Sequence, residues 1–346
     1  MWQLEFQSVR KRYAGSGPWV VDGLNLTIAR GELVTLLGPS GCGKTTTLRL
    51  IAGLEWPSEG RILMAGQDVT RQGAAERPVG MMFQSYALFP HMNVLDNVAY
   101  GLAVQAAPRA TERALEMLRV VGLEGFEARW PSELSGDQQQ RVALARSLVM
   151  EPEILLFDEP LSNLDAKLRR EMRLEIRRLQ QSLGLTVVYV THDQAEAMAV
   201  SDRICVMNHG RMAQQGSPQQ LYQQPVDPFV AAFMGETHLV QAQALGAGQG
   251  MQLGDWIWRE APEHPAGRVR LAIRPEAWRL VPAGQGLAAT VLHCAFMGAV
   301  QELTLKTALG QVLTLCPSSS QPWPQGQSLG LVLDAHGVVV FAETSP

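Results

Sequence analysis

The chain opens on strict alternation of apolar and polar residues, Trp2, Leu4 and Phe6 against Gln3, Glu5 and Gln7. That period of two predicts a half-buried strand. It returns at residues 24–28, beyond a loop at 14–18 and an apolar segment at 19–21. Mostly apolar runs at 33–37, 79–83 and 186–190, and a fully apolar one at 154–157, predict buried strands. Helical spacing governs other stretches. Residues 46–52 read as the first turns of a helix, and 94–123 as helical with Pro108 interrupting. Ser135 is placed as an N-cap for a helix that runs to Glu151-Pro152, and 163–183 reads as one long helix. Residues 201–211 read as strand, tight turn, strand.

From Pro225 the texture changes. Residues 237–346 carry many Gly and Pro turns between short alternating runs, such as 301–305 and 312–315, and no long helical pattern. An all-β barrel or sandwich is expected there. The chain therefore divides into an α/β domain at 1–235, with a helical subdomain at about 85–152, and a β-rich domain at 236–346. Its 346 residues suffice for two cores.

The chemistry concentrates where apolar runs stop. After the strand at 33–37 come Gly38-Pro39-Ser40-Gly41-Cys42-Gly43-Lys44-Thr45-Thr46, which fit G-x-x-x-x-G-K-[ST] in a strand–loop–helix setting. Glycines let the backbone turn tightly and aim successive N–H groups at phosphate oxygens. Lys44 reaches the β- and γ-phosphates in such loops, and the Thr45 hydroxyl ligates Mg²⁺. The run at 154–157 delivers Asp158-Glu159, two carboxylates that need a cation, a proton or a water to act on. Asp158 suits Mg²⁺ or its water, and Glu159 suits polarising an attacking water. Gln84 follows the strand at 79–83, and His192 follows that at 186–190, both at strand ends where sites in open α/β sheets gather. Tyr13 reads either as an edge aromatic or as a platform for a base.

Composition narrows the picture. A net charge of −4 gives no electrostatic case for nucleic acid. Four cysteines without C-x-x-C spacing suggest free thiols, although oxidation or alkylation of Cys42 would block the phosphate loop. No signal peptide opens the chain, and no stretch approaches the roughly 18 apolar residues of a membrane helix. Any membrane role therefore requires a partner.

Taken together, these motifs resemble the ATP-binding cassette ATPases, specifically the nucleotide-binding subunit of bacterial importers: a P-loop NTPase cassette followed by an OB-like barrel. The signature sequence of that family matches residues 134–138, including Ser135, Gly136, Asp137 and Gln138, and its loop after the glutamate matches 162–165, ending at Asp165. The resemblance implies that Tyr13 stacks on adenine and that Asp158 and Gln84 complete the Mg²⁺ shell around Thr45. It also implies that Glu159 and His192 serve hydrolysis, and that two copies sandwich two MgATP, each phosphate loop facing the other copy's signature. Two integral membrane permease subunits and a periplasmic or extracellular solute-binding protein would complete the importer at the cytoplasmic face of the cell membrane. The tail, with Ile273-Arg274-Pro275-Glu276, resembles the transport-associated OB-type domain of the same importers. The segment 83–92 looks nearest to the polyamine, ferric iron and phosphonate group. A soluble ATPase of non-transport type, expected to carry two cassettes or a coiled-coil insertion, and an ATP-sensing regulator are the alternatives.

One residue departs from the family. Asp137 stands where glycine is usual. Its carboxylate would repel phosphate, while the first turn of a helix favours negative charge and Arg141, four residues on, offers a partner. The expectation is slower closure or hydrolysis.

Overall fold

The computed structural model of the chain describes residues 2–13, 17–318 and 323–343, so most of the loop expected at 14–18 lies outside it. The chain forms two compact units, Met1–Pro218 and Gln219–Pro346.

In the first unit the apolar runs become neighbours in one six-stranded sheet. Its order is Arg211–Gly216, Arg203–Asn208, Leu33–Leu37, Thr186–Thr191, Ile154–Asp158, Val79–Met82. All pairings are parallel except that of the edge strand Arg211–Gly216. The register pairs Leu37 with Thr191, Val190 with Asp158, and Phe157 with Met82. Parallel strands in that register end at one edge, so the residues that follow Leu37, Met82, Phe157 and Thr191 emerge side by side.

A smaller antiparallel sheet, Val21–Ala29, Trp2–Lys11, Glu59–Met64 and Gln67–Asp68, covers one face of the large sheet. One core fills the space between the two sheets, and includes Phe6, Ile28, Leu36, Leu48 and Leu156. The other face packs on helices, including Val94–Val104, Ala110–Val120, Gly136–Leu148 and Ala166–Leu183, through Val98, Leu118, Leu144 and Ile176. The break at Pro108 thus separates two helices, as expected. The long helix begins at Ala166 rather than 163, because Asp165 caps it by accepting from the Lys167 and Leu168 N–H groups at 2.9 Å.

The helix Lys44–Ala52 is held at its far end. Arg77, 5% exposed, donates to the carbonyls of Leu50, Ile51, Val69 and Gln72 at 2.6–3.1 Å. A buried cation at the C-terminal turn satisfies orphan carbonyls and suits the helix dipole.

The second unit is all-β apart from short helices. Its strands form two five-stranded antiparallel sheets around one core that contains Trp258, Trp278, Leu271 and Leu305. The helices Pro228–Phe233 and most of Pro218–Gln223, placed by sequence in the first domain, group with this unit instead. Arg274, 2% exposed, is the tie. Its guanidinium donates to the Ala231, Gly235 and Tyr222 carbonyls at 2.9–3.1 Å, bonds the Thr237 hydroxyl, and lies 4.1 Å from the Tyr222 ring centroid. Tyr222 in turn donates to Glu276 at 2.7 Å. The expected division near 235 therefore moves to 218, because one buried charge binds both stretches.

Candidate functional site

The loop after Leu37 is shaped by contacts that only glycine permits. A Cβ at Gly38 would meet the Met207 carbonyl at 2.4 Å, and one at Gly43 the Val20 carbonyl at 2.5 Å, with Gly43 at φ 101°. Gly43 caps the helix Lys44–Ala52 without any side-chain bond, which leaves the first-turn N–H groups for an anion. Lys44, 7% exposed, donates to the Gly38 and Pro39 carbonyls at 2.7 and 3.0 Å, across the loop. A ligand phosphate can exchange for these carbonyls. Ser40, Gly41 and Thr45 are exposed, and the Cys42 side chain is buried beneath. Burial pushes the Cys42 thiol up despite Lys44 3.9 Å away, so this cysteine is a poor nucleophile and the modification considered above is disfavoured.

Strand alignment brings the second group to the same place. A cleft of about 260 Å³ is lined by Val20, Ser40, Gly41, Gly43, Lys44, Thr45, Thr46, Glu159 and His192. Residues from four separate stretches thus face one space. Glu159 sits at φ 48°, a left-handed conformation uncommon for a non-glycine residue and typical of a constrained site. Its carboxylate lies 3.1 Å from His192 Nδ1. Asp158, just before it, is half-buried. Burial and the adjacent Glu159 raise its carboxyl above the usual range, and Arg49 and Lys44 only partly offset them. Such a group gains from a cation. Of the three residues expected at Mg²⁺, Thr45 lines the cleft while Asp158 and Gln84 do not; the carboxylate, hydroxyl and amide oxygens they carry are of the hard kind that suits Mg²⁺, which takes one or two carboxylates and completes its shell from phosphates and water. Among the described residues no cluster of three or more His, Cys, Asp or Glu could hold a metal.

Tyr13 stands beside this cleft. It is 57% exposed, its hydroxyl is 3.3 Å from Thr46 Oγ1, and Lys11 lies 4.9 Å from its ring centroid. Gln84 is exposed, and its carbonyl accepts from Asn163 at 3.0 Å. Ser135, Gly136, Asp137, Gln138 and Asp165 do not line the cleft.

The charge pairing of Asp137 with Arg141 is replaced, and Arg169 likewise bypasses the acid four residues before it. Arg141 donates to the Val121 carbonyl at 2.8 Å and sits 3.9 Å from Glu175, while Asp137 accepts the Ser135 hydroxyl. Arg169 pairs with Asp193 at 3.5 Å, and Asp165 is spent on its helix cap. Near helix ends, backbone N–H and hydroxyl donors compete for acids that spacing alone assigns to arginine.

Sequence reading missed the polar network behind His192. Glu196, 3% exposed, accepts from Tyr189 at 2.6 Å and from Thr191, whose hydroxyl also accepts from the Asp193 N–H at 3.0 Å. Burial raises the Glu196 carboxyl and raises the Tyr189 phenol further. A cavity of about 70 Å³ adjoins it, lined by Glu159, Ser162, Arg169, His192 and Glu196 among others. The available signal was a lone Tyr in an aliphatic strand with an acid seven residues on.

The ABC transporter family matches residues 21–162, and the TOBE domain family residues 271–341. The chain is similar to the "Fe(3+) ions import ATP-binding protein FbpC" of Rhizobium etli, at 50% identity over 97% of each chain. The Escherichia coli protein of the same name is 47% identical over 99% of this chain and 98% of its own. Among solved structures, a dimeric post-hydrolysis state of the ATP-binding cassette MJ0796 bound to ADP and Pi is 32% identical. It covers 62% of this chain and 98% of its own, with a TM-score of 0.54. CbiO1 from Clostridium perfringens, part of the transporter complex cbiONQ, is 31% identical over 64% and 90%, with a TM-score of 0.60. With a phosphate loop, a glutamate and a histidine on one cleft, and full-length relatives at half identity, the chain belongs to the ABC importer ATPases that carry a TOBE domain, and it binds and hydrolyses ATP.

Proposed function

We propose that the chain powers import of ferric iron, acting as a homodimer beneath two permease subunits served by a solute-binding protein. The observation that carries the catalytic part is the meeting of Lys44, Glu159 and His192 on one cleft. The ferric iron assignment draws on relatives of that name at 50% identity across nearly the whole chain. Among the described residues no helix is long and apolar enough to cross a membrane, so attachment to the cytoplasmic face would run through the permeases.

In this reading the phosphate-loop N–H groups and Lys44 bind the β- and γ-phosphates, and Tyr13 stacks on adenine. Thr45, Asp158 and Gln84 would hold Mg²⁺, which supplies charge neutralisation on the phosphates. Glu159 orients water in line with the γ-phosphorus, and His192, already 3.1 Å from that carboxylate, holds Glu159 and contacts the γ-phosphate. Ser135, Gly136, Asp137, Gln138 and Asp165 would act on the nucleotide of the other copy, which accords with their absence from the lining of their own chain's cleft. Glu159→Gln is the test. It should keep ATP affinity, lose hydrolysis by about 10²–10⁴-fold, and accumulate as an ATP-bound dimer in light scattering. Rapid turnover by that variant would overturn the assignment. Transport of labelled ferric ion into vesicles holding the complex tests the solute, and uptake of a polyamine or phosphonate instead would refute it.

A further inference from the structure

The segment after Gln84 is bent in a way that needs explanation. Tyr86 and Ala87 lie at φ 59° and 46°, two successive non-glycine residues in the left-handed region. Side chains there crowd the backbone, so the conformation persists only when its surroundings impose it. One side chain does so. Arg146, in the last turn of the helix Gly136–Leu148, donates to the Tyr86 carbonyl through one terminal nitrogen and to the Ala87 carbonyl through the other, both at 2.8 Å. Its guanidinium also lies 5.4 Å from the Phe89 ring centroid.

Arg146 has no other visible task. Its hydrogen bonds among the described residues go to these two carbonyls, and burial lowers its proton affinity. A half-buried cation committed to two carbonyls is a planar fork matched to one backbone bend. Tyr86 continues the link at the other end of the same helix. Its ring is 6% exposed in the core with Leu134 and Leu144, its hydroxyl has no partner among the described residues, and the Asp137 carboxylate adds to burial in raising its phenol. Downstream, Asn97 pins the Phe89 N–H and the Phe89 and Met92 carbonyls at 2.8–3.1 Å. Gln84 and Ser85 are left as the exposed end of a clamped segment.

We infer that Arg146 is a positioning residue for the ATPase site, tying the Gln84 segment to the signature helix so that the two move together. The inference rests on the reading of Gln84 given above. It places the coupling between the two motifs in a fork of hydrogen bonds to backbone, not in contact with nucleotide.

The test uses the full chain with Arg146→Lys and Arg146→Ala. Lysine keeps the charge and most of the stem but can reach only one carbonyl at a time. In Arg146→Ala, kcat should fall at least tenfold with KM for ATP within threefold of wild type. Amide exchange at residues 84–89 should rise at least tenfold, while that of Ile154–Asp158 stays unchanged. Arg146→Lys should fall between, with unaltered thermal stability, which keeps the test open if the alanine variant does not fold. Unchanged exchange at 84–89, or losses of kcat that simply track a global fall in stability, would overturn the inference. A wild-type chain without ATPase would instead count against the functional reading, and the exchange measurement would still decide the clamp.

Discussion

Replacing Asp158 by asparagine should stabilise the ligand-free protein while disabling it. The carboxylate ends a strand whose other residues are fully buried, and it has Glu159 beside it. Burial and that neighbour raise its proton affinity, and Lys44 is already engaged with two loop carbonyls. A carboxyl raised in the folded state binds its proton more tightly there than in the unfolded chain. Its ionised form therefore opposes folding, fully above the folded-state pKa, and this penalty disappears as pH falls below the unfolded value of about 3.9. The group is only half-buried, and solvent screening holds the gain from Asp158→Asn to about 1 kcal/mol, the usual size for relieving one functional site. For a unit spanning Met1–Pro218, that is about 2–4 °C in Tm. Saturating wild type with MgATP at 100 times Kd adds about 2.7 kcal/mol. The variant, with a weaker oxygen ligand, should gain much less and lose about 10²-fold or more in kcat. Calorimetry at pH 7.5 with and without MgATP, beside an ATPase assay, would show the two curves cross. A lower Tm for the ligand-free variant, or a stabilisation that persists unchanged down to acid pH, would refute the reasoning.

Other outcomes follow from single contacts. Asp137→Gly frees the Ser135 hydroxyl from its carboxylate partner and removes negative charge beside the phosphate that the signature is proposed to meet, so ATPase should rise; an unchanged or lower rate would sink the idea. Tyr13→Ala should weaken ATP binding by about 1–3 kcal/mol, the worth of one stacking platform, and Tyr13→Trp should restore it, as titration with a fluorescent ATP analogue would report. Arg77→Ala leaves four carbonyls without their buried donor and should cost about 3–5 kcal/mol of stability, read by denaturant titration; a loss under about 1 kcal/mol would mean that water replaces the guanidinium.

Residues 38–46 are legible without a structure because a phosphate loop is local, its chemistry set by glycines and a lysine within nine positions. The same holds for Asp158-Glu159 and for His192, each announced by the apolar strand before it. Spacing served less well for charge. It offered Arg141 to Asp137, and the Ser135 hydroxyl at the helix start took that acid instead. The grouping of the helices Pro218–Gln223 and Pro228–Phe233 with the second unit was hidden for a similar reason, since the bonds of Arg274 to Tyr222 and Ala231 span roughly forty to fifty residues.

By itself the sequence determined the kinds of element, the all-β tail, and the short motifs whose function lies in their own backbone and spacing. Only the tertiary structure decided which strand ends share an edge, and therefore that Lys44, Glu159 and His192 line one cleft. It alone revealed Arg77, Arg146 and Arg274, buried or half-buried guanidinium groups whose partners are mostly backbone carbonyls. A carbonyl is present at every residue and carries no sequence signature, so its partner becomes visible only when the chain is folded.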